Sequence, residues 1–317
     1  MPAISCSSPG KIILCGEHVV VYGYPAIALP VFAVSTRCRV FARPAATDSA
    51  VLINAPLINL NAPLSALEPQ HPMRRTIELT LRELGIGTLP ACEVQLTSTI
   101  PLGAGLGSSA ASTVSVAHAI STFLGHPLEN SSINNIAFEV EKLHHGTPSG
   151  IDNTVITYQV PIYFQRGSGF RPIHNLLDLH LVIANSGITS STAKAVAGVR
   201  ERFDAEPERY TSYFIQVERI STECKYLLET GKATEIGPLL SENHALLQRI
   251  GVSSDVLDHL VETALKAGAL GAKLSGGGLG GNIIALVEPD LVEKVSQALL
   301  AAGAVSTLPF TLPPFKG

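Results

Sequence analysis

The chain has 317 residues, of which 46% are hydrophobic and 15% are charged. Because one hydrophobic core seldom grows to this length, the sequence predicts two domains, or one large α/β unit with a second lobe. The 22 basic and 26 acidic side chains give a formal net charge of −4. This balance excludes the strongly basic surface typical of proteins that bind nucleic acid, and it indicates a small ligand.

The N-terminal half of the chain alternates predicted strands with predicted helices. The strands are rich in β-branched residues and stop near Gly or Pro, whereas the helices repeat apolar residues at three- and four-residue steps before a terminal Gly. Ser131 or Ser132 is the expected N-cap of the third helix, and Gly146 its terminator. The predictions are strands at 11–16, 33–44 and 92–100, and helices at 71–86, 108–125 and 130–146. Residues 42–72, with five prolines, receive no assignment.

The C-terminal half is dominated by longer predicted helices. After a strand near 178–185, the pattern predicts helices at 192–204, 208–231, 233–251 and 253–268, and then a loop, a strand and a helix between 272 and 303. This change of pattern predicts a boundary near residue 180. We therefore expect an N-terminal lobe at 1–180 and a C-terminal lobe at 181–317.

A glycine-rich turn between a predicted strand and a predicted helix is the first candidate site. Its backbone N–H groups and the positive end of the following helix suit a phosphate group. The alternative is a tight turn that binds no ligand, in which the glycines are needed only for the backbone angles that they adopt. The residues of this turn are Gly103, Gly105, Gly107, Ser108 and Ser109.

The two common phosphate motifs do not fit the chain. The pattern G-x-x-x-x-G-K-[ST] is absent, and the G-x-G-x-x-G match at Gly276, Gly278 and Gly281 precedes a predicted strand rather than a helix. That second match is therefore not evidence for a dinucleotide-binding fold.

Three ordered stretches together resemble the motifs of the GHMP kinases. They are SSPGKIILCGEHVVVYG at 7–23, PLGAGLGSSAAS at 101–112 and KLSGGGLGG at 273–281. The resemblance covers nearly the whole chain. It implies an α+β fold of two lobes, in which a ribosomal-protein-S5-domain-2-like N-terminal lobe carries the ATP-binding loop and the C-terminal lobe is ferredoxin-like.

The residues around these motifs are most similar to those of the mevalonate kinases. The two stretches that carry this likeness are GEHVVVYG at 16–23 and EKLHHGTPSGIDN at 141–153. Galactokinases have Thr-Asp-Tyr after Gly-Glu-His, and the decarboxylases of mevalonate diphosphate have a Trp, which this chain lacks. The resemblance implies that the chain uses ATP with Mg²⁺ to phosphorylate the 5-hydroxyl of mevalonate.

The resemblance also assigns roles to individual residues. Asp152 is similar to the general base, and Lys11 to the lysine that pairs with that base. Ser109 and Glu141 resemble the two ligands of Mg²⁺, a hard-oxygen set that suits this ion. Glu17, His18 and Thr192 correspond to residues on the acceptor side. The ATP-binding residues would be Pro101, Gly103, Gly105, Gly107, Ser108, Ser109, Gly276, Gly277 and Gly278.

Each of these residues has a simpler interpretation when taken alone. A loop aspartate such as Asp152 is more often a turn or N-cap residue, Glu141 would be a solvated helix residue, and His18 a core histidine. A metal site at His144 and His145 is disfavoured because adjacent helical side chains point in different directions.

The acceptor side has one departure from the family pattern. Ser190 stands where several mevalonate kinases carry a basic residue, so the partner of the substrate carboxylate is left open between Lys194 and a residue of 42–72.

Two rival functions are compatible with the same glycine motifs. A phosphomevalonate kinase would need additional Arg or Lys near the acceptor, and a non-catalytic metabolite sensor could dispense with the base, the lysine or the metal ligands. The five separate cysteines read as reduced thiols, and no signal peptide or membrane span is recognisable, so a cytoplasmic protein without a nucleic-acid or membrane partner is expected. The family resemblance adds the expectation of a homodimer.

Overall fold

The structure is a computed structural model that describes residues 3–44, 51–101, 103–145, 148–189 and 191–316. The strands are β1 Ile4–Cys15, β2 Ala26–Ala42, β3 Val51–Ala55, β4 Leu60–Pro63, β5 Cys92–Ser98, β6 Ile162–Gln165, β7 Gly169–Pro172, β8 Leu179–Asn185, β9 Gly271–Ser275, β10 Asn282–Leu286 and β11 Ser306–Leu312. The helices are α1 Pro72–Glu83, α2 Ser108–Phe123, α3 Asn130–His145, α4 Ile151–Tyr158, α5 Thr192–Ala205, α6 Pro207–Glu229, α7 Ile236–Ile250, α8 Asp255–Ala267 and α9 Val292–Ala301. This mixture confirms the predicted α+β class.

The chain forms two compact units whose segments alternate along the sequence. Unit 1 consists of residues 1–10, 34–101 and 107–159, and unit 2 of residues 11–33, 102–106 and 160–317. This division does not coincide with a single boundary near residue 180. The reason is that the long strands β1 and β2 each contribute one half to each unit.

Unit 1 is a sheet with helices on its apolar face. Its strands follow the order β4, β3, β5, β2, and only the β3–β5 pair is parallel. Alternation along β2 buries Cys38 and Val40 while Arg37 and Arg39 stay exposed, as expected for a sheet covered on one side. The buried side chains join those of α1 and α2 in one core, which includes Ile53, Val94, Ile77 and Ile120.

Unit 2 is built around a second, fully antiparallel sheet. Its strand order is β11, β8, β10, β9, with Ile284 of β10 opposite both Ile183 of β8 and Lys273 of β9. Helices α7, α8 and α9 pack against this sheet. In the same unit, the N-terminal part of β2 pairs with β6, and β6 pairs with β7.

Most of the predicted elements are confirmed, and the differences have identifiable causes. The unassigned region 42–72 contains β3 and β4, and the predicted loop after residue 272 begins with β9 instead, because a buried lysine interrupts the apolar pattern of this strand. Strands β6, β7 and β11 and helix α4 were also missed.

The predicted caps of α3 have separate outcomes. Neither Ser131 nor Ser132 is the N-cap, because α3 already begins at Asn130 and the Glu129 carbonyl accepts a hydrogen bond from the Ile133 N–H. Gly146 lies outside the described residues.

Within the described ranges, no helix combines the length and the apolar character needed to span a bilayer.

Candidate active site

The start of α2 in unit 1 carries the first group of predicted site residues. Its N-cap is Gly107, with a φ of +79° and no side chain to cap the helix, so the N-terminal N–H groups have no such competitor for an anion. Ser108 is the first helical residue and Ser109 the second, while Pro101 is exposed after β5. This geometry is the one that the glycine-rich turn predicts.

The hydroxyl of Ser109 and the carboxylate of Glu141 meet inside unit 1. Ser109 Oγ donates a hydrogen bond of 2.6 Å to Glu141 Oε1, and Glu141 is only 3% exposed. The packing of α2 against α3 brings the two residues together. Glu141 is therefore not the solvated helix residue that it would be on sequence periodicity alone.

This pair suits a magnesium ion in the chemistry of its donor atoms. A hydroxyl and a carboxylate oxygen are hard ligands, and Mg²⁺ commonly takes only one or two protein oxygens beside phosphate and water. Across the described ranges, no cluster of three or more His, Cys, Asp or Glu side chains offers a complete protein cage for a metal. The side chains of His144 and His145 lie outside the described part of the chain.

Asp152 belongs to a helix and not to a loop as predicted. It is the second residue of α4, after the N-cap Gly150, and is half-buried. Asn153 fastens α4 to α3, because its Nδ2 donates to Asn134 Oδ1 at 2.6 Å. The sequence predicts a loop here because α4, with only eight residues, is too short to show a clear helical repeat of apolar residues.

Lys11 lies in unit 2, within β1 rather than at its start. It is 5% exposed, and its backbone N–H donates to the Leu106 carbonyl at 3.0 Å. Lys11 and Asp152 belong to different units, so their pairing stays a prediction.

Two hydrogen bonds within unit 2 hold the glycine turn that precedes α2. The Leu106 carbonyl accepts the Lys11 N–H, and the Ala104 carbonyl accepts a hydrogen bond from the side-chain amide of Asn282. Gly103 and Gly105 have φ angles of +69° and +70°, and a Cβ at either position would meet no neighbouring atom. These glycines are therefore required by backbone conformation and not by crowding.

The second glycine loop, residues 276–281 between β9 and β10, is crowded instead. A Cβ at Gly277 would lie 2.8 Å from Thr192 Oγ1, and one at Gly278 would lie 2.0 Å from the Val252 carbonyl oxygen. Thr192 is the first residue of α5. The structure thus brings the predicted acceptor-side threonine against the predicted ATP-side glycines.

The cation expected near Thr192 is not identified by these contacts. Ser191 is the N-cap of α5 and accepts from the Lys194 N–H at 3.3 Å, and Lys194 is exposed. Ser190 lies outside the described residues.

His18 is a buried histidine that contacts this second loop. Its Nε2 lies 3.0 Å from the Gly277 carbonyl, which can only accept, so Nε2 carries the proton and the buried Nδ1 has no partner among the described residues. Burial lowers the pKa of His18 from 6.5 to about 4; the Gly277 carbonyl opposes this shift, whereas the positive charges of Arg202 and Lys273 add to it. His18 is thus neutral at physiological pH.

Glu17 is committed to an internal ion pair. It is 1% exposed, and its Oε1 accepts a hydrogen bond from the ammonium of Lys273, which is itself fully buried. Burial raises the pKa of Glu17, and the charges of Lys273 and Lys11 oppose the rise. The other oxygen of Glu17, Oε2, is buried and has no hydrogen-bond partner among the described residues, so the acceptor-side role that the family resemblance implies for Glu17 stays a prediction.

Comparison with known proteins identifies the family of this chain. The family model for the GHMP kinases N terminal domain matches residues 71–159, and the model for GHMP kinases C terminal matches residues 224–305. The mevalonate kinase of Pyrococcus horikoshii is 36% identical, over 95% of this chain and 93% of its own. The chain belongs to the mevalonate kinase family of the GHMP kinases.

More distant members of the family match over nearly their full length. The mevalonate kinase of Mus musculus is 30% identical, over 95% of this chain and 91% of its own. The solved structure of L. major mevalonate kinase in complex with R-mevalonate matches with a TM-score of 0.85 and 30% identity, over 99% of this chain and 97% of that chain.

Three polar residues of this GHMP kinase were missed by the sequence analysis. Lys273 pairs with Glu17, Asn282 holds the first glycine loop, and the Ser275 hydroxyl bonds both the N–H and the carbonyl of Ile13. The sequence carries two signals that could have identified these residues. Lys273 and Ser275 interrupt an otherwise apolar strand, and Asn282 directly follows two glycines.

Proposed function

We propose that this protein transfers the γ-phosphoryl group of MgATP to the 5-hydroxyl of mevalonate. The observation that carries the proposal is the part-buried Ser109–Glu141 contact at the start of α2, in a chain whose relatives are named mevalonate kinases. A hydroxyl and a carboxylate at a glycine-capped helix start are what binding of a metal-nucleotide requires.

The metal would be held by Ser109 and Glu141. When bound with ATP, Mg²⁺ neutralises the negative charge that develops on the transferred phosphoryl group. The glycines of residues 103–107 and the N–H groups of Ser108 and Ser109 would hold the phosphates, since no side chain caps this helix.

Asp152 is proposed as the base that takes the proton of the 5-hydroxyl. The carboxylate is half-buried in the first turn of α4, and its contribution would come from its position beside the reacting hydroxyl. Lys11 would stabilise the developing alkoxide as a fixed positive charge.

The acceptor would be oriented by the cluster of Thr192, His18 and Gly277. Thr192 supplies a hydroxyl that can donate or accept, and His18 supplies an unprotonated Nδ1 that can accept. The cytoplasmic location and the homodimer remain predictions from the sequence.

The proposal is tested with the purified protein and a panel of acceptors. ADP release should be measured with mevalonate, phosphomevalonate, homoserine and galactose at fixed MgATP. We expect the highest kcat/KM with mevalonate. A tenfold preference for phosphomevalonate would identify the rival kinase, and no turnover with any acceptor would favour a sensor.

The role of Asp152 is tested with Asp152→Asn, which removes the charge and keeps the shape. Turnover should fall by about 10²- to 10⁴-fold while binding of ATP and mevalonate stays near normal, because general-base catalysis contributes on this scale. The matched control is Asp255→Asn, the same change in the first turn of α8, which should leave kcat unchanged. A loss confined to KM would show that Asp152 is a binding group.

A further inference from the structure

The ion pair between Glu17 and Lys273 has no part in the proposed mechanism, although it lies among the residues that do. Lys273 is 0% exposed in β9, three residues before the second glycine loop begins. Glu17 is the second residue after β1 and precedes His18 directly. The pair therefore joins the turn that carries His18 to the strand that leads into the loop.

Stability alone is a weak reason for such a pair. Removing two charges from water costs free energy that their attraction often does not recover, and apolar side chains of similar volume are commonly as stabilising. Lys273 Nζ also donates to the Leu274 carbonyl at 2.6 Å, which fixes the direction of the ammonium. The ammonium of Lys273 therefore has a fixed place and direction in the fold.

Further contacts tie the same two segments of unit 2 together. Ser275 Oγ accepts a hydrogen bond from the Ile13 N–H at 3.2 Å and donates one to the Ile13 carbonyl at 3.0 Å. His18 Nε2 donates to the Gly277 carbonyl, and Gly277 in turn lies against Thr192. The ion pair is thus the charged member of a short series of contacts that ends at the acceptor-side residues.

We propose that Glu17 and Lys273 are positioning residues, which hold His18 and the second glycine loop in the arrangement that catalysis uses, and that Glu17 does not itself bind the acceptor. This inference rests on the proposed function for its kinetic readout only. Lys273 reaches neither substrate, because its ammonium is enclosed and already bonded to Glu17 and Leu274.

The decisive variant replaces both partners, Glu17→Met with Lys273→Met. Each single change leaves one buried charge without its partner and should lower Tm sharply, whereas the double change removes both charges and should recover most of the Tm. We expect the folded double variant to lose about 10- to 100-fold in kcat, because small displacements of positioning groups have effects of this size.

A second readout requires no substrate. The titration of the His18 ring, followed by NMR and assigned with His18→Asn, should move from about 4 in the wild type toward 6.5 in the double variant. Loss of the Lys273 charge accounts for the smaller part of this rise, and the larger part is expected because burial is the main cause of the lowered pKa and the turn is no longer held in its buried place. The matched control is Lys225→Met with Glu229→Met, an ion pair of 2.5 Å on α6, which should leave kcat and the His18 titration unchanged.

Two results would overturn the inference. A folded double variant with wild-type kcat and a wild-type His18 titration would mean that the pair serves stability alone. A rise in KM for the acceptor with kcat intact would mean that Glu17 binds it directly. If the wild type prefers another acceptor, the proposed function fails, and the His18 titration still decides the role of the pair.

Discussion

Because Ser109 and Glu141 are in contact, a substitution at either residue tests whether the pair holds a metal ion. The two oxygens are 2.6 Å apart, as close as two ligands of one small cation, and Glu141 is buried. Removing either oxygen leaves the other in place. A graded loss of metal use is therefore expected, and not a loss of fold.

Ser109→Ala and Glu141→Gln should each lower kcat and raise the Mg²⁺ concentration needed for half-maximal rate. The reason is that the phosphates are less well neutralised when one protein oxygen is missing. The measurement is a Mg²⁺ titration of initial rates at saturating ATP. Ser112→Ala, one turn further along α2, is the control. An unchanged Mg²⁺ requirement in both site variants would place the metal elsewhere.

His18 makes stability depend on pH on the acid side. Its pKa is about 4 in the folded protein and 6.5 as a free side chain, so the unfolded state binds the proton more tightly. The positive charges of Arg202 and Lys273 add to this lowering of the pKa, and Glu17, which pairs with Lys273, directly precedes His18. The stability contribution of His18 is complete above pH 6.5 and is lost as pH falls to about 4, by roughly 3 kcal/mol.

His18→Asn should reduce this acid dependence, since asparagine tolerates a positive φ and does not titrate. Urea unfolding between pH 4 and 7 measures it, and the exposed His126→Asn should behave like wild type. Burial also lowers the pKa values of His118 and His244, so part of the dependence of stability on pH remains in this variant. A wild-type slope in His18→Asn would contradict the buried, neutral state of this ring.

At the scale of elements, α2 has glycines with positive φ beyond both of its ends. Gly105 lies in the turn before the helix with a φ of +70°, Gly125 lies after the helix with a φ of +79°, and a Cβ at either would meet no neighbour. Replacement by alanine therefore carries a similar backbone penalty at both positions, about 1–2 kcal/mol. Only the N-terminal end is proposed to hold phosphate.

Gly105→Ala should raise KM for ATP, whereas Gly125→Ala should leave it unchanged at a comparable loss of Tm. The physical reason is that a strained turn displaces the N–H groups that face the phosphates. Initial rates at varied ATP, with thermal melts of both variants, provide the comparison. Equal KM values would show that this turn does not bind the nucleotide.

The elements also show which part of the structure is readable from sequence. Helix α2 and the turn before it were predicted because periodic apolar residues and glycines are local signals. Asp152 was placed in a loop because α4 is short, and β9 was missed because Lys273 is stabilised by Glu17, which is 256 positions away. Partners that are distant in sequence leave no trace in a local pattern, so the Glu17–Lys273 pair required the structure.

At the scale of the whole molecule, the chain crosses between its two units five times, after residues 10, 33, 101, 106 and 159. Residues 160–317 alone would lack the part of β2 that pairs with β6, and Lys273 would lack Glu17. An unpartnered buried charge and an exposed strand edge both disfavour folding.

We therefore expect the fragment 160–317 to show no cooperative thermal transition by itself. Coexpression with residues 1–159 should restore a transition and ATP turnover, because the missing strands are then supplied. Circular dichroism melts of the fragment, of the coexpressed pair and of the full chain make the comparison. A fragment that melts cooperatively near the Tm of the full chain would show that its contacts suffice without the N-terminal segments.

The crossings also limit how the gene can change over generations. Three of the five fall beside predicted site residues, between Gly10 and Lys11, after Pro101 and before Gly107. A recombination event that exchanges one contiguous stretch of DNA could not transfer either unit whole without part of the other, and a breakpoint at one of these three crossings would separate neighbouring site residues. Variation in such a kinase is therefore expected to accumulate by point substitution and loop insertion, with the coding sequence inherited as one indivisible piece.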